Sequence, residues 1–340
     1  MATLPAREVA AGAGALAAPR GLARAGPHAM RGLMPPIPAS RPNAYTGNPL
    51  DRAGDRRDDD AWIGARLQDP GTRFVPVWRS RSLLRDSAGV LQAVYLPATD
   101  AAPALNAGGA WAFLGIQNDR AVFAVDLGAV EDPLPLVPAG AGVFEDLRTV
   151  PGGLPPDDAA ILAHARGLMH WRGRHGFCGV CGAACLPRSA GNALACTGCG
   201  AQHFPRTDPA VIMLVHRGDS VLLGHSARFP KATTYSTLAG FVEPGESLEE
   251  AVAREVMEES RIQVGAVHYH SSQPWPFPAS IMLGFHAEGL SSEITIDPAE
   301  LRDARWFTRA ELADPAAHNF SLPRRDSIAR RLIEDWMAHA

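Results

Sequence analysis

Two Cys-x-x-Cys pairs, Cys178/Cys181 and Cys196/Cys199, stand 14 residues apart, and all five cysteines, Cys185 included, fall within 22 residues. Four thiolates at that spacing can close a tetrahedron around one Zn²⁺. Gly179, Gly182, Gly198 and Gly200 lie in or just after the pairs, where tight turns let backbone amides approach sulfur. Two disulfides are the competing reading, disfavoured in a chain without an export signal. Four protein ligands leave no open coordination position, so the zinc is expected to be structural. Cys185 is expected to be a free thiol.

Around this centre, 340 residues suggest about two domains at roughly 150 residues each. An apolar share of 46% can bury a core in most of the chain. With 32 basic and 36 acidic residues, the net charge of -4 gives no overall pull toward nucleic acid or anionic membrane. No run approaches the ~18 apolar residues that span a bilayer, and the expectation is a soluble, cytoplasmic protein with no membrane partner. Residues 1–42 are rich in Ala, Gly, Pro and Arg without apolar periodicity, and are expected to form a disordered tail. An organellar targeting segment fits the arginines but not the scarcity of hydroxyls, with Thr3 and Ser40 alone. A start at Met30 or Met34 is the third reading.

Short apolar runs separated by turn residues predict strands at Arg73–Trp78, Leu91–Leu96, Trp111–Ile116 and Ala121–Leu127. A helix follows Pro155-Pro156, with Ile161, Ala165, Leu168 and Trp171 near one face. Beyond the cysteines, strands are predicted at Ala210–Val215, Val221–Gly224, Ser280–Ala287 and Ala304–Phe307. Helices are predicted at Leu248–Ser260 and around Ile328, Leu332, Ile333 and Trp336. Strands and helices interleave, an α/β (α+β) texture.

The stretch from Gly240 to Glu259 carries the chemistry. Pro244-Gly245 fits a type II turn, and Ser247 with Glu250 forms a capping box that starts a helix. At 100° per residue Glu255, Glu258 and Glu259 share an arc of about 100°. Like charges one turn apart destabilise a helix, and only Arg254 and Arg261 stand near to relieve them, so a hard, oxygen-seeking cation such as Mg²⁺ or Mn²⁺ would fit. A solvated acidic face is the competing reading. Gly240, Glu246, Arg254, Glu255, Val256, Glu258, Glu259 and Ile262 resemble the Nudix box in register. Arg261 stands where the box has a helix-ending Gly, which costs a non-Gly residue roughly 1 kcal/mol in a left-handed turn.

Ser272-Gln-Pro-Trp-Pro-Phe-Pro-Ala-Ser280 resembles the signature of the NADH pyrophosphatase branch of that superfamily. Its prolines stiffen a loop that presents Trp275 and Phe277 for stacking. Asn48–Arg52 and Phe144–Arg148 resemble the branch's degenerate Nudix-like N-terminal domain, and Phe204–Pro209 its entry into the Nudix domain. The resemblance implies a Nudix α/β/α sandwich with a zinc ribbon. It divides the chain into residues 43–172 for the N-terminal domain, 173–204 for the ribbon and 205–340 for the Nudix domain. The implied activity is metal-dependent hydrolysis of NAD(H) to nicotinamide mononucleotide and AMP by a homodimer.

The implied metal ligands are Glu255, Glu258, Glu259, the Ala239 carbonyl and Glu300, with Arg254 orienting a carboxylate. Asp297, Pro298 and Glu300 also read as a helix start, a role compatible with the first. The implied substrate-binding residues are Phe204, Phe241, Ala329, and Gln273, Pro274, Trp275, Pro276, Phe277, Pro278, Ala279 and Ser280 of the signature. Gly191 stands where some relatives carry a substrate-touching carboxylate. One alternative is removal of NAD caps from RNA 5′ ends by the same site, with Arg172, Arg174 and Arg188 lining a path for the strand. The other is a non-catalytic zinc-ribbon/Nudix regulator that binds nucleotide or RNA, against which the intact glutamates argue.

Overall fold

The computed structural model describes residues 36–150, 153–229, 231 and 233–339. The first 35 positions of the expected tail lie outside the described residues. From Pro36 onward the expectation of a tail fails: Ile37 is 3% exposed, and the Ser40 amide donates to Asp335 at 3.1 Å. Asn43 donates to Ser271 and Ser272, each at 2.9 Å. An apolar residue, a backbone amide with a partner in the last helix and a side-chain amide with partners at a sheet edge order this segment.

The N-terminal sheet comprises β1 (Arg73–Trp78), β2 (Arg81–Ser87), β3 (Val90–Ala93), β4 (Leu96–Pro97), β5 (Trp111–Gln117), β6 (Arg120–Asp126) and β7 (Val143–Glu145). Its order is β3-β2-β1-β6-β5, with β1 and β6 parallel, β4 paired on β1 and β7 on β2. The single strand expected at Leu91–Leu96 is two, because β3 pairs β2 while β4 crosses to β1. Helices α1 (Asp60–Gln68) and α2 (Ala98–Asn106) accompany a core on one face, built on Phe74, Phe113 and Phe123. Helix α3 (Pro156–Arg174) covers the other face with Ile161, Ala165, Leu168 and Trp171.

A three-stranded ribbon, β8 (Cys185–Arg188), β9 (Ala193–Cys196) and β10 (Gln202–His203), follows. The second large sheet uses β11 (Asp208–Arg217), β12 (Ser220–Ser226), β13 (Leu238–Phe241), β14 (Val264–Trp275), β15 (Ser280–Gly289) and β16 (Leu301–Thr308). Its order is β14-β15-β11-β12-β16, with β11 and β15 parallel and β13 paired on β11. Helix α4 (Leu248–Ser260) packs Ala251, Val252 and Val256 on one face, and α5 (Arg309–Ala313) follows β16. Helix α6 (Ile328–Ala338) contacts β11 and β15, with Leu332, Ile333 and Trp336 fully buried. Among the described residues no helix is long and apolar enough to cross a membrane.

Two sequence expectations change here. Gln273, Pro274 and Trp275 are not loop but the end of β14, an edge strand whose free side tolerates Pro274. Asp297 starts no helix: its side chain accepts from the Ala299 amide at 2.9 Å in a single turn, and Leu301 enters β16 at once.

Candidate active site and ribbon metal site

Helix α4 begins as its sequence requires. The Ser247 hydroxyl accepts from the Glu250 amide and the Glu250 carboxylate accepts from the Ser247 amide. Before it, Gly245 has φ +93° and the Glu246 amide donates to the Glu243 carbonyl at 3.2 Å, closing the type II turn. At the other end Arg261 adopts φ 61° in place of glycine, with its amide donating to Met257 at 3.0 Å.

Arg254 ties this helix to the strand and turn before it. Its Nε donates to Glu246 at 2.6 Å, Nη1 to Glu255 at 2.8 Å and Glu258 at 3.0 Å, and Nη2 to the Phe241 carbonyl at 2.9 Å. The guanidinium holds the Glu246 carboxyl down to about 2. Glu246 is the positioning residue that sequence reasoning left without a role, although it stands in the motif eight residues before Arg254. The Glu255 carboxylate lies against Gly240, where a methyl group would overlap it, so glycine there lets the carboxylate keep its place.

Glu259 is 6% exposed, and its Oε2 is buried without a hydrogen-bond partner among the described residues. Burial, with Glu255 and Glu300 nearby, pushes its carboxyl up to about 8. Burial also raises Glu255, against the pull of Arg254. An orphaned buried carboxylate oxygen beside two further carboxyls, in an oxygen-only donor set, fits a hard divalent cation.

Glu259 and Glu300 open into a cavity of about 690 Å³ whose walls include Ala239, Gln273, Trp275 and Ala329. Arg228, Arg324 and Lys231, the only lysine in the sequence, supply its cations, and none was anticipated. Arg228 and Lys231 share one segment while Arg324 stands far along the chain, and no local pattern marks them. Gln273 is fully buried: its Oε1 accepts from the Ile328 amide at 2.8 Å and its Nε2 donates to Asp326 at 2.7 Å, fixing the start of α6.

Other expected substrate residues are not brought to this cavity. Phe204 and Phe241 are 64% and 60% exposed and do not line it. Phe277 turns toward the N-terminal core, under the Arg166 guanidinium at 4.7 Å and edge-on to Tyr45. Arg166 also donates to the Pro276 carbonyl at 2.7 Å, so α3 holds the turn that follows Trp275. Pro276 is buried, Pro278 is exposed, and the Ala279 carbonyl accepts from Asp208 at 2.7 Å, next to Ser280 in β15. Of the arginines expected to guide RNA, Arg172 is turned inward onto the Trp111 carbonyl, while Arg174 and Arg188 are exposed.

In the ribbon the sulfurs of Cys178, Cys181, Cys196 and Cys199 lie within 4.8 Å of one another, a group that could hold one metal ion. None of the five cysteines forms a disulfide, and Cys185 stays outside the group. Amides of Val180, Gly198 and Cys199 approach the sulfurs at 3.3–3.4 Å. His203 adds a contact at 3.4 Å to Cys178 that the spacing of the cysteines did not suggest.

Residues 206–330 match the NUDIX domain, and residues 71–171 match the NADH pyrophosphatase-like rudimentary NUDIX domain. This pairing, with the carboxylate helix, defines a Nudix hydrolase of two related domains. The chain is 47% identical over 195 residues to the NAD-capped RNA hydrolase NudC of Stutzerimonas stutzeri, 57% of this chain and 68% of that protein. It is 44% identical over 182 residues to the protein of the same name from Pseudomonas putida F1, 54% of this chain and 63% of that one. The matches thus span about two thirds of these relatives. A NUDIX hydrolase structure from Nitrosomonas europaea is 21% identical with a TM-score of 0.40, over 48% of this chain and 90% of that one. The chain belongs to the Nudix hydrolases, in the family of the NAD-capped RNA hydrolase NudC.

Proposed function

We propose that the chain hydrolyses the pyrophosphate bond of NAD(H), giving nicotinamide mononucleotide and AMP, and that it removes NAD caps from RNA 5′ ends at the same site. The observation that carries this reading is the meeting of Glu259 and Glu300 with Trp275 in one cavity. Acids able to hold a divalent cation there face an aromatic ring able to stack a flat base. The names of the relatives support the NAD and capped-RNA substrates.

Glu255, Glu258, Glu259, Glu300 and the Ala239 carbonyl are the oxygen donors for Mg²⁺ or Mn²⁺. When bound, such an ion neutralises phosphate charge and lowers the pKa of water. Arg254 keeps Glu255 and Glu258 in place. Arg228, Lys231 and Arg324 balance the charge of the diphosphate, and one of the glutamates accepts the proton of the attacking water. Trp275 and Ala329 pack against the nucleotide. The four cysteines hold Zn²⁺ as a structural ion, so sulfur and oxygen donors divide the two metals by softness. A homodimer in the cytoplasm completes the reading, and the exposed rings of Phe204 and Phe241 support its dimeric part.

Incubation with NADH or NAD-capped RNA and Mg²⁺ or Mn²⁺, followed by chromatography, tests this reading. Wild type is expected to release the mononucleotide and Glu259→Gln is not. No cleavage of either substrate by wild type would leave the non-catalytic regulator as the better reading.

A further inference from the structure

A second cavity, of about 550 Å³, shares Trp275 with the first. Three stretches that the reaction leaves without a complete role meet around it: Asn48 to Arg52, Pro205 to Thr207, and the turn at Pro276. Its charged and titratable walls are Arg52, Arg57, Arg206, His164 and Tyr45, and among the described residues no carboxylate lines it. Arg206 has a partner in Asp208. Arg52 has no acidic partner among the described residues, and its guanidinium meets the imidazole of His164. Arg57 reaches the Arg52 carbonyl at 3.4 Å, and its Nε is buried without a hydrogen-bond partner among the described residues. The neighbouring acid, Asp58, is engaged by the Ser189 hydroxyl at 2.8 Å and lies outside the cavity walls. Burial and the two arginines push His164 down to about 3, so the imidazole stays neutral and leaves the charge to the guanidinium groups.

Guanidinium groups that face a cavity with no carboxylate in its described walls keep donors free for a ligand anion, and the buried Nε of Arg57 is one of them. Their planar donor forks match phosphate oxygens. We propose that this cavity binds a phosphate ester anion, held by Arg52 and Arg57 with Arg206 at its rim. Two sources carry that chemistry: the backbone of an RNA whose capped end occupies the first cavity, and a free nucleotide. The shared wall at Trp275 favours the RNA backbone, and that source alone rests on the proposed capped-RNA activity.

The test uses the full chain and two variants, Arg52→Gln with Arg57→Gln, and Arg206→Gln at a position 70% exposed in its side chain. AMP and inorganic phosphate are titrated calorimetrically without divalent metal, which keeps binding separate from turnover. Steady-state kinetics on NADH and on a NAD-capped oligoribonucleotide follow. The account expects wild type to bind AMP and the double variant to lose about tenfold or more in affinity. A KM rise of similar size on capped RNA with NADH kinetics unchanged assigns the site to the RNA backbone. Weakened AMP binding with both sets of kinetics unchanged assigns it to a free nucleotide. If the double variant fails to fold, Arg206→Gln must still weaken AMP binding or raise KM on capped RNA severalfold. The proposal is overturned if wild type binds neither probe and the folded variants match it on capped RNA, or if the variants bind AMP as wild type does.

Discussion

In the N-terminal sheet, β1 pairs β4 through Arg73 and Phe74, then β2 through Val77 and Trp78, with β6 parallel on its other side. In the Nudix sheet, β11 pairs β13 through Ala210 to Met213, then β12 through Val215 to Arg217, with β15 parallel on its other side. β7 pairs β2 as β16 pairs β12, and α2 follows β4 as α4 follows β13. The two regions share one plan, and their helices in corresponding positions differ. α2 has nine residues, an internal Pro103, no side-chain cap and Asp100 as its one acid. α4 has thirteen, a capping box, Glu255 against Gly240 and Glu259 in the cavity that Trp275 lines. The shared plan delivers a helix to one place on the sheet, and residue chemistry decides whether that place is reactive.

Substituting the matching helices gives the largest effect. Glu259→Gln should lower kcat on NADH by about 10³-fold, with fold and ribbon metal retained, whereas Asp100→Asn in α2 should leave turnover unchanged. Equal losses would end the contrast. Gly240→Ala should displace the Glu255 carboxylate and lower kcat about 10²-fold with little change in the denaturant midpoint, since only the end of a flexible side chain has to move aside. Wild-type turnover in that variant would remove the packing argument for glycine.

How much of this was legible in the sequence follows from where each signal lies. α4 could be read to the residue because its turn, cap, apolar stripe and acids are consecutive. The four cysteines were legible for the same reason. β14 was not, since its edge position tolerates Pro274 and its register shifts between Tyr269 and Ser271. α2, with Pro103 inside it, carries no start signal in its side chains. Arg228, Lys231 and Arg324 line the cavity through tertiary folding alone, and the inward turn of Phe277 depends on Arg166 of the other domain.

Smaller effects sharpen the contrast further. Trp275→Ala should reduce kcat/KM about tenfold more on NADH than on a simple diphosphate ester, the size of a lost base stack; equal losses would deny it a stacking role. The smallest effect is one of acid stability. Burial holds His286 of β15 down to about 4, below its unfolded value near 6.5, while β6 carries no histidine in the N-terminal sheet. The unfolded chain then takes the proton first, so this contribution is complete above about pH 6.5 and declines as pH falls toward about 4. About 1 kcal/mol should be lost by pH 6, and His286→Gln should flatten that slope in denaturant titrations. An unchanged slope would assign the acid sensitivity to other groups.

The most direct test of the central claim is the location of Mn²⁺ by anomalous scattering in crystals of the wild-type protein. A peak is expected between Glu255 and Glu259 on α4 and none on α2. A peak elsewhere, with none at Glu259, would contradict it.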